Sequence, residues 1–87
     1  MKSATLPDQP SISPAQCRAA RGLLDWSREQ LAEASSVALR TIVDFERGAR
    51  SPRAGTLRSL QSGLEAAGVV FLADDGQGAG VRLRNVA

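Results

Sequence analysis

Two stretches of the sequence decide the fold: Ser27-Arg28-Glu29-Gln30-Leu31-Ala32 and Thr41-Ile42-Val43-Asp44-Phe45-Glu46-Arg47-Gly48. In the first, Ser27 and Gln30 have the spacing of a capping box, in which each side chain bonds to the other residue's backbone at a helix start. In the second, apolar residues three apart indicate one buried helix face, and Gly48 suits a left-handed helix end. These patterns predict two short helices joined by a turn of three or four residues.

The flanking sequence extends this pattern in both directions. Ser13 and Gln16 form a second candidate capping box, which indicates an earlier helix. Leucines three and four apart between residues 57 and 64 predict a later one. After Gly68, two short β-prone runs enclose a glycine-rich turn, as in a β-hairpin. The predicted helices span about 14–24, 28–34, 39–47 and 54–67, and the predicted strands span 69–73 and 81–84.

The expected architecture is a mainly α fold of four to five helices with a short C-terminal β-hairpin. With 87 residues the chain has room for one domain. We divide it into a flexible N-terminal arm (1–12), a helical domain (13–68) and a hairpin tail (69–87). The apolar stripes predict a core of Cys17, Leu24, Trp26, Leu31, Ala32, Val37, Ile42, Phe45, Leu57, Leu60 and Leu64.

The composition argues against an enzyme. The chain has no His, no Tyr and one Cys, so the commonest general base and any Cys/His metal cluster are missing. Cys17 or a pair of acids would be the only support for catalysis, and we expect neither activity, metal nor cofactor. A single Cys suits a reducing compartment, and neither a signal peptide nor an apolar run of about 20 residues is present. We therefore expect a cytoplasmic protein with no membrane contact.

The basic residues point to nucleic acid as the first partner to test. Ten of the eleven are arginines, which bond phosphates and guanine edges bidentately, although the net charge is only +2. From residue 40 to residue 58 there are five arginines against Asp44 and Glu46. A solvated basic face is the alternative explanation of this run, and charge alone does not decide between the two.

The stretch from Arg21 to Ala32, the stretch from Thr41 to Gly48 and the following Pro52 together resemble the lambda-repressor-like, or XRE, family of helix-turn-helix DNA-binding domains. The resemblance covers about residues 14–68. It implies that the second helix lies across the DNA backbone and that the third enters the major groove.

The resemblance also implies roles for individual residues. Arg40 is the best candidate to read a guanine, and two roles are open for Asp44: accepting from a cytosine amino group or holding Arg40 in position. A plain surface ion pair is a third reading. Ala38 stands where the family often has Ser or Thr, so its cap is weaker. The implied base contacts are Leu39, Arg40, Thr41 and Asp44, the implied phosphate contacts are Ser27, Arg28, Ala38, Arg47, Arg50 and Arg53, and the implied internal ion pair joins Arg21 to Glu46.

The tail lies outside the family resemblance, and its role has three alternatives. It dimerises the protein, it binds a different protein such as a toxin or RNA polymerase, or it seals the open end of the helical core. The residues expected at a dimer contact are Val69, Phe71, Val81 and Leu83. Sequence reasoning thus favours a sequence-specific double-stranded DNA-binding transcription regulator, a repressor acting as a homodimer on a palindromic operator. The alternative is an antitoxin-type or other interaction module whose tail binds a partner protein.

Overall fold

The structure, a computed structural model, describes residues 11–84. It contains four helices and one antiparallel hairpin, so the predicted mainly α fold with a C-terminal hairpin is confirmed. The helices are α1 (Pro14–Leu24), α2 (Arg28–Ser35), α3 (Leu39–Glu46) and α4 (Ala54–Ala66), and the strands are β1 (Val69–Leu72) and β2 (Gly80–Leu83). Most of the predicted flexible arm, and the last three residues of the predicted tail, lie outside the described residues.

Both predicted capping boxes are present. At the start of α1, the Ser13 hydroxyl accepts from the backbone N–H of Gln16 at 3.0 Å, and the Gln16 side chain accepts from the backbone of Ser13 at 2.9 Å. Ser27 and Gln30 make the same two bonds at the start of α2. The turn between α2 and α3 begins at Ser36, which has a left-handed φ of 60°. These local signals explain why the helix starts follow directly from the sequence.

The core lies between the four helices and under the hairpin. Leu24, Trp26 and Ala32, which the apolar pattern places in the core, are only partly buried at its edge. Ile12 is buried although the predicted arm includes it, so the folded part begins no later than Ile12. The buried apolar residues are Ile12, Cys17, Ala20, Leu31, Val37, Ile42, Phe45, Leu57, Leu60, Leu64 and Val69.

Helices α2 and α4 approach each other closely at Gly63. A Cβ added at Gly63 would lie 3.2 Å from the Cα of Ser35 and 3.3 Å from the carbonyl oxygen of Ala34. We expect Gly63→Ala to destabilise the domain by about 1 kcal/mol, because overpacking outweighs the helix propensity gained. Gly22→Ala in α1 is the control: its Cβ meets nothing within 4 Å, so we expect a gain of about 0.5 to 1 kcal/mol. Urea unfolding of both variants measures the change in unfolding free energy. A stabilising Gly63→Ala would show that α2 moves away from the added methyl group at little cost.

The hairpin packs on the chain's own helices. Val69 pairs with Leu83 and Phe71 pairs with Val81, so these four side chains share one face of the hairpin. Val69 is 1% exposed, Phe71 and Val81 pack against the core, and Leu83 is 44% exposed. The prediction of Val69 as a dimer contact therefore needs correction, because Val69 is buried within its own chain and is not accessible to a second copy. The same face seals one side of the helical core.

Gln16 fastens the hairpin to α1. While its side-chain oxygen serves the capping box, its Nε2 donates to the carbonyl oxygens of Gly80 at 3.0 Å and Leu72 at 3.4 Å. These two carbonyls belong to paired residues at the loop end of the hairpin. One side chain therefore joins the start of the first helix to the C-terminal hairpin.

The double role of Gln16 predicts an unequal effect of one substitution at two equivalent caps. Gln16→Glu keeps a capping acceptor but turns a carboxylate oxygen toward two carbonyl oxygens, so we expect a loss of about 1 to 3 kcal/mol. Gln30→Glu is the control, because Gln30 is exposed and its recorded bonds are those of the α2 capping box. We expect the control to change stability by less than about 0.5 kcal/mol. Equal effects in thermal unfolding would show that the bonds to the hairpin add nothing.

Candidate nucleic-acid interface

Helix α3 presents one face to the core and the opposite face to solvent. Ile42 and Phe45 are buried against the other helices. Arg40 projects outward with 77% of its side chain exposed, and Leu39 is also exposed. The structure thus gathers the four predicted base contacts, Leu39, Arg40, Thr41 and Asp44, in the first turns of α3.

A concave surface lies between α3 and the loop that follows it. It is lined by Arg40, Thr41, Asp44, Arg50 and Pro52. An ion pair joins Arg40 Nη2 to Asp44 Oδ1 at 3.3 Å. The loop is fixed to α3 here, because the Asp44 carbonyl accepts from the backbone N–H groups of Ala49 and Arg50. Arg50, predicted as a phosphate contact, therefore lies beside the predicted base-reading residues.

A second cleft lies at the N-terminal ends of α3 and α4. Neither Ala38 nor Arg53, the N-cap residues, supplies a side-chain cap, so the first backbone N–H groups of both helices keep their bonding capacity. Helix N-termini attract anions, and the Arg53 side chain adds a full positive charge. This combination suits a phosphate group. The residues lining the cleft are Ser36, Val37, Ala38, Thr41, Arg53, Gly55, Thr56 and Ser59.

Beneath this surface, the buried carboxylate of Glu46 joins three helices. Arg21 of α1 binds it bidentately, with Nη2 2.7 Å from Oε1 and Nε 2.8 Å from Oε2. Arg28 of α2 donates from Nε to Oε1 at 2.9 Å, and the Cys17 thiol donates to Oε2 at 3.1 Å. In addition, Arg18 donates to the backbone carbonyl of Glu46. The carboxylate therefore has a donor on each side and fixes α3 relative to α1 and α2.

The protonation states in this cluster follow from burial and hydrogen bonding. Burial by itself would raise the pKa of Glu46, but hydrogen bonds from Arg21, Cys17 and Arg28 outweigh it and hold that pKa below its usual range. Burial, reinforced by the bond to Glu46, raises the pKa of the Cys17 thiol well above its usual value. Cys17 thus remains a neutral donor, and Glu46 remains ionised.

The cluster contains the pair that the family resemblance implies and two further donors to the Glu46 carboxylate that sequence reasoning missed. Arg21 and Glu46 form the implied ion pair. Arg28, predicted only as a phosphate contact, already donates one N–H to Glu46, and its side chain is 38% exposed. Cys17, predicted only as core, is a hydrogen-bond donor. Nothing in the local sequence signals these contacts, because they join helices that are distant along the chain.

Three further predicted phosphate contacts, Ser27, Arg47 and Arg50, are exposed to solvent. Ser27 is exposed at the N-cap of α2, and Arg47 and Arg50 are exposed after α3. Helices α2 and α3, which the bond from Arg28 to Glu46 joins, carry five of the ten predicted contacts: Arg28, Leu39, Arg40, Thr41 and Asp44.

A comparison of the sequence with protein-family profiles identifies the family to which this arrangement of helices belongs. A family profile described as Helix-turn-helix matches residues 18–65, which is more than half of the chain. The chain belongs to this helix-turn-helix family. As an XRE-type helix-turn-helix protein, it is a DNA-binding transcription regulator whose α2 and α3 form the motif. The family is a regulatory one and not typically enzymatic.

The matched region of the helix-turn-helix protein begins within α1 and ends within α4, so the hairpin lies outside it. A search of curated proteins found no match. Across residues 11–84, no helix has the length and apolar character needed to span a membrane.

Proposed function

We propose that this helix-turn-helix protein is a cytoplasmic repressor that binds a palindromic operator as a homodimer. The observation that carries the proposal is the two-faced α3, with Ile42 and Phe45 in the core and the Arg40 side chain 77% exposed on the opposite side. A helix fixed in this way offers its first turns to base edges in the major groove. The proposed base-reading residues are Leu39, Arg40 and Thr41, and Asp44, the fourth predicted base contact, lies beside Arg40 on the same surface.

Phosphate contacts supply affinity around this helix. Ser27 and Arg28 at the start of α2 approach the backbone on one side, and the cleft with Ala38 and Arg53 receives a phosphate on the other. Arg47 and Arg50 add positive charge after α3. These contacts are independent of base sequence and weaken as salt rises, because binding releases counterions from DNA.

Homodimer formation through the hairpin completes the proposal. A single short helix reads few base pairs, so proteins of this type gain affinity by binding two half-sites about one helical turn apart. The hairpin is a two-stranded sheet with unpaired outer edges among the described residues, and Leu83 is 44% exposed at the end of β2. The contact set proposed for the partner copy is Phe71, Val81 and Leu83, without Val69.

Selection from a pool of randomised duplexes at two salt concentrations tests DNA recognition. We expect a palindromic motif that persists at the higher salt. Binding without a motif, lost as salt rises, would contradict sequence-specific repression and leave only a basic surface.

Sedimentation equilibrium of the full chain tests the dimer. We expect a mass near twice 9.1 kDa, and a monomer for Leu83→Glu, which removes an exposed apolar contact. Leu23→Glu on α1 is the control, because Leu23 is similarly exposed at 41% and lies outside the hairpin. A monomeric wild-type chain that co-purifies with one stoichiometric small protein would favour the antitoxin-type alternative.

A further inference from the structure

Asp44 and Arg40 differ sharply in how far their side chains reach toward solvent. The Asp44 side chain is 16% exposed, whereas that of Arg40 is 77% exposed. Asp44 lies in the concave surface between Arg40, Arg50 and Pro52, and its carboxylate meets the Arg40 guanidinium at 3.3 Å. The Asp44 carboxylate is therefore recessed, and the Arg40 guanidinium projects beyond it toward solvent.

This difference in exposure distinguishes the two roles that the sequence leaves open for Asp44, which are accepting a hydrogen bond from a cytosine amino group and holding Arg40 in position. To read a cytosine, an aspartate must bring its carboxylate to the amino group in the groove, and a short recessed side chain is poorly placed for that. Arg40 has five N–H donors, and its ion-pair contact with Asp44 involves one guanidinium nitrogen, Nη2, at 3.3 Å. The remaining donors include enough for a bidentate bond to the O6 and N7 of a guanine.

We infer that Asp44 is a positioning residue that does not touch DNA, and that Arg40, held by Asp44, reads a guanine in each half-site. The inference rests on the proposed function, in which α3 enters the major groove. Because the Arg40 side chain of the pair is so exposed, the pair adds little to folding stability, and the role inferred for it is in recognition. The negative charge of Asp44 also opposes non-specific attraction to phosphates, which raises the ratio of specific to non-specific binding.

The test uses the motif selected from randomised duplexes, with each guanine replaced in turn by 7-deazaguanine, which lacks the N7 acceptor. The proteins are wild type, Arg40→Ala, Asp44→Ala and the double variant, with Glu33→Ala as the control for removing an exposed acid that lies outside α3. We expect one guanine in each half-site to matter to wild type. Loss of its discrimination in Arg40→Ala should be about 5- to 150-fold.

Asp44→Ala should lose part of this discrimination at the same guanine and at no other position. It should also bind a scrambled duplex more tightly than Glu33→Ala does. The double variant should resemble Arg40→Ala, because Asp44 acts through Arg40.

Two results would overturn the inference while leaving the proposed function intact. One is relaxed preference for a cytosine at another position in Asp44→Ala, which would make Asp44 a direct reader. The other is unchanged discrimination in Asp44→Ala, which would reduce the pair to a surface contact. Failure to recover any motif would instead contradict the proposed function itself.

Discussion

Glu46→Gln is expected to destabilise the domain by about 3 to 5 kcal/mol, because it leaves the guanidinium of Arg21 without its counter-charge. Arg21 makes two bonds to the carboxylate, and its side chain is only 17% exposed. The glutamine keeps the size of the side chain, so the loss reflects charge and hydrogen bonding rather than a cavity. Urea unfolding measures the change.

Asp44→Asn is the matched control for Glu46→Gln. It removes another acid of α3 that pairs with an arginine, but the Arg40 partner is exposed and one ion-pair contact of 3.3 Å is recorded. The expected change in unfolding free energy is below about 1 kcal/mol. Similar losses of unfolding free energy in the two variants would show that burial and the bidentate geometry at Glu46 add nothing to stability.

The Glu46 carboxylate should also make the domain sensitive to acid. Its pKa in the folded state lies below the unfolded value of about 4.3, so the unfolded chain binds the proton more readily. Stability from this group is present above the unfolded pKa and is lost as pH falls through the folded pKa. We expect the unfolding free energy of wild type to decline more steeply below about pH 4 than that of Glu46→Gln.

The comparison between wild type and Glu46→Gln isolates this carboxylate. Asp74 also has a pKa below its usual value, because backbone N–H groups of Gly76 and Gly78 bond to it, but it is present in both proteins. Parallel stability curves from pH 7 to pH 3 would contradict the assignment of acid sensitivity to Glu46.

The helix limits could be predicted because their causes are local. Ser13, Gln16, Ser27 and Gln30 act within one helical turn of each other, so a short window of sequence contains the whole capping box. The burial of Ile42 follows equally from helical periodicity. Such features require no knowledge of how the helices cross.

The features that sequence reasoning missed depend on helix crossing. Arg28 lies 18 residues from Glu46 along the chain, and Cys17 lies 29 residues from it. The local sequence pattern predicts only a surface arginine at position 28 and a core thiol at position 17. Val69 has the pattern of any half-buried strand residue, so its complete burial follows only from docking of the hairpin on the helices. The recessed position of Asp44 likewise depends on the loop that folds back against α3.

Ending the chain at Gly68 is expected to unfold most of the protein rather than merely remove a tail. Val69 is fully buried, and Phe71 and Val81 pack against the core. A fully buried apolar side chain contributes about 1.5 to 3 kcal/mol, and because Phe71 and Val81 are only partly buried, losing the three costs about 3 to 6 kcal/mol. Small domains have total stabilities at the low end of about 5 to 15 kcal/mol, which leaves little in reserve.

Circular dichroism and urea unfolding of the shortened chain measure this loss, with a chain ending at Arg84 as the control that keeps both strands. A shortened chain with an unchanged cooperative transition would mean that the hairpin is an appendage, free to serve a partner alone. The expected unfolding has a consequence for the dimer as well. Truncation would abolish dimerisation and DNA binding together whatever the role of the hairpin, so only a surface substitution such as Leu83→Glu separates dimer contact from folding.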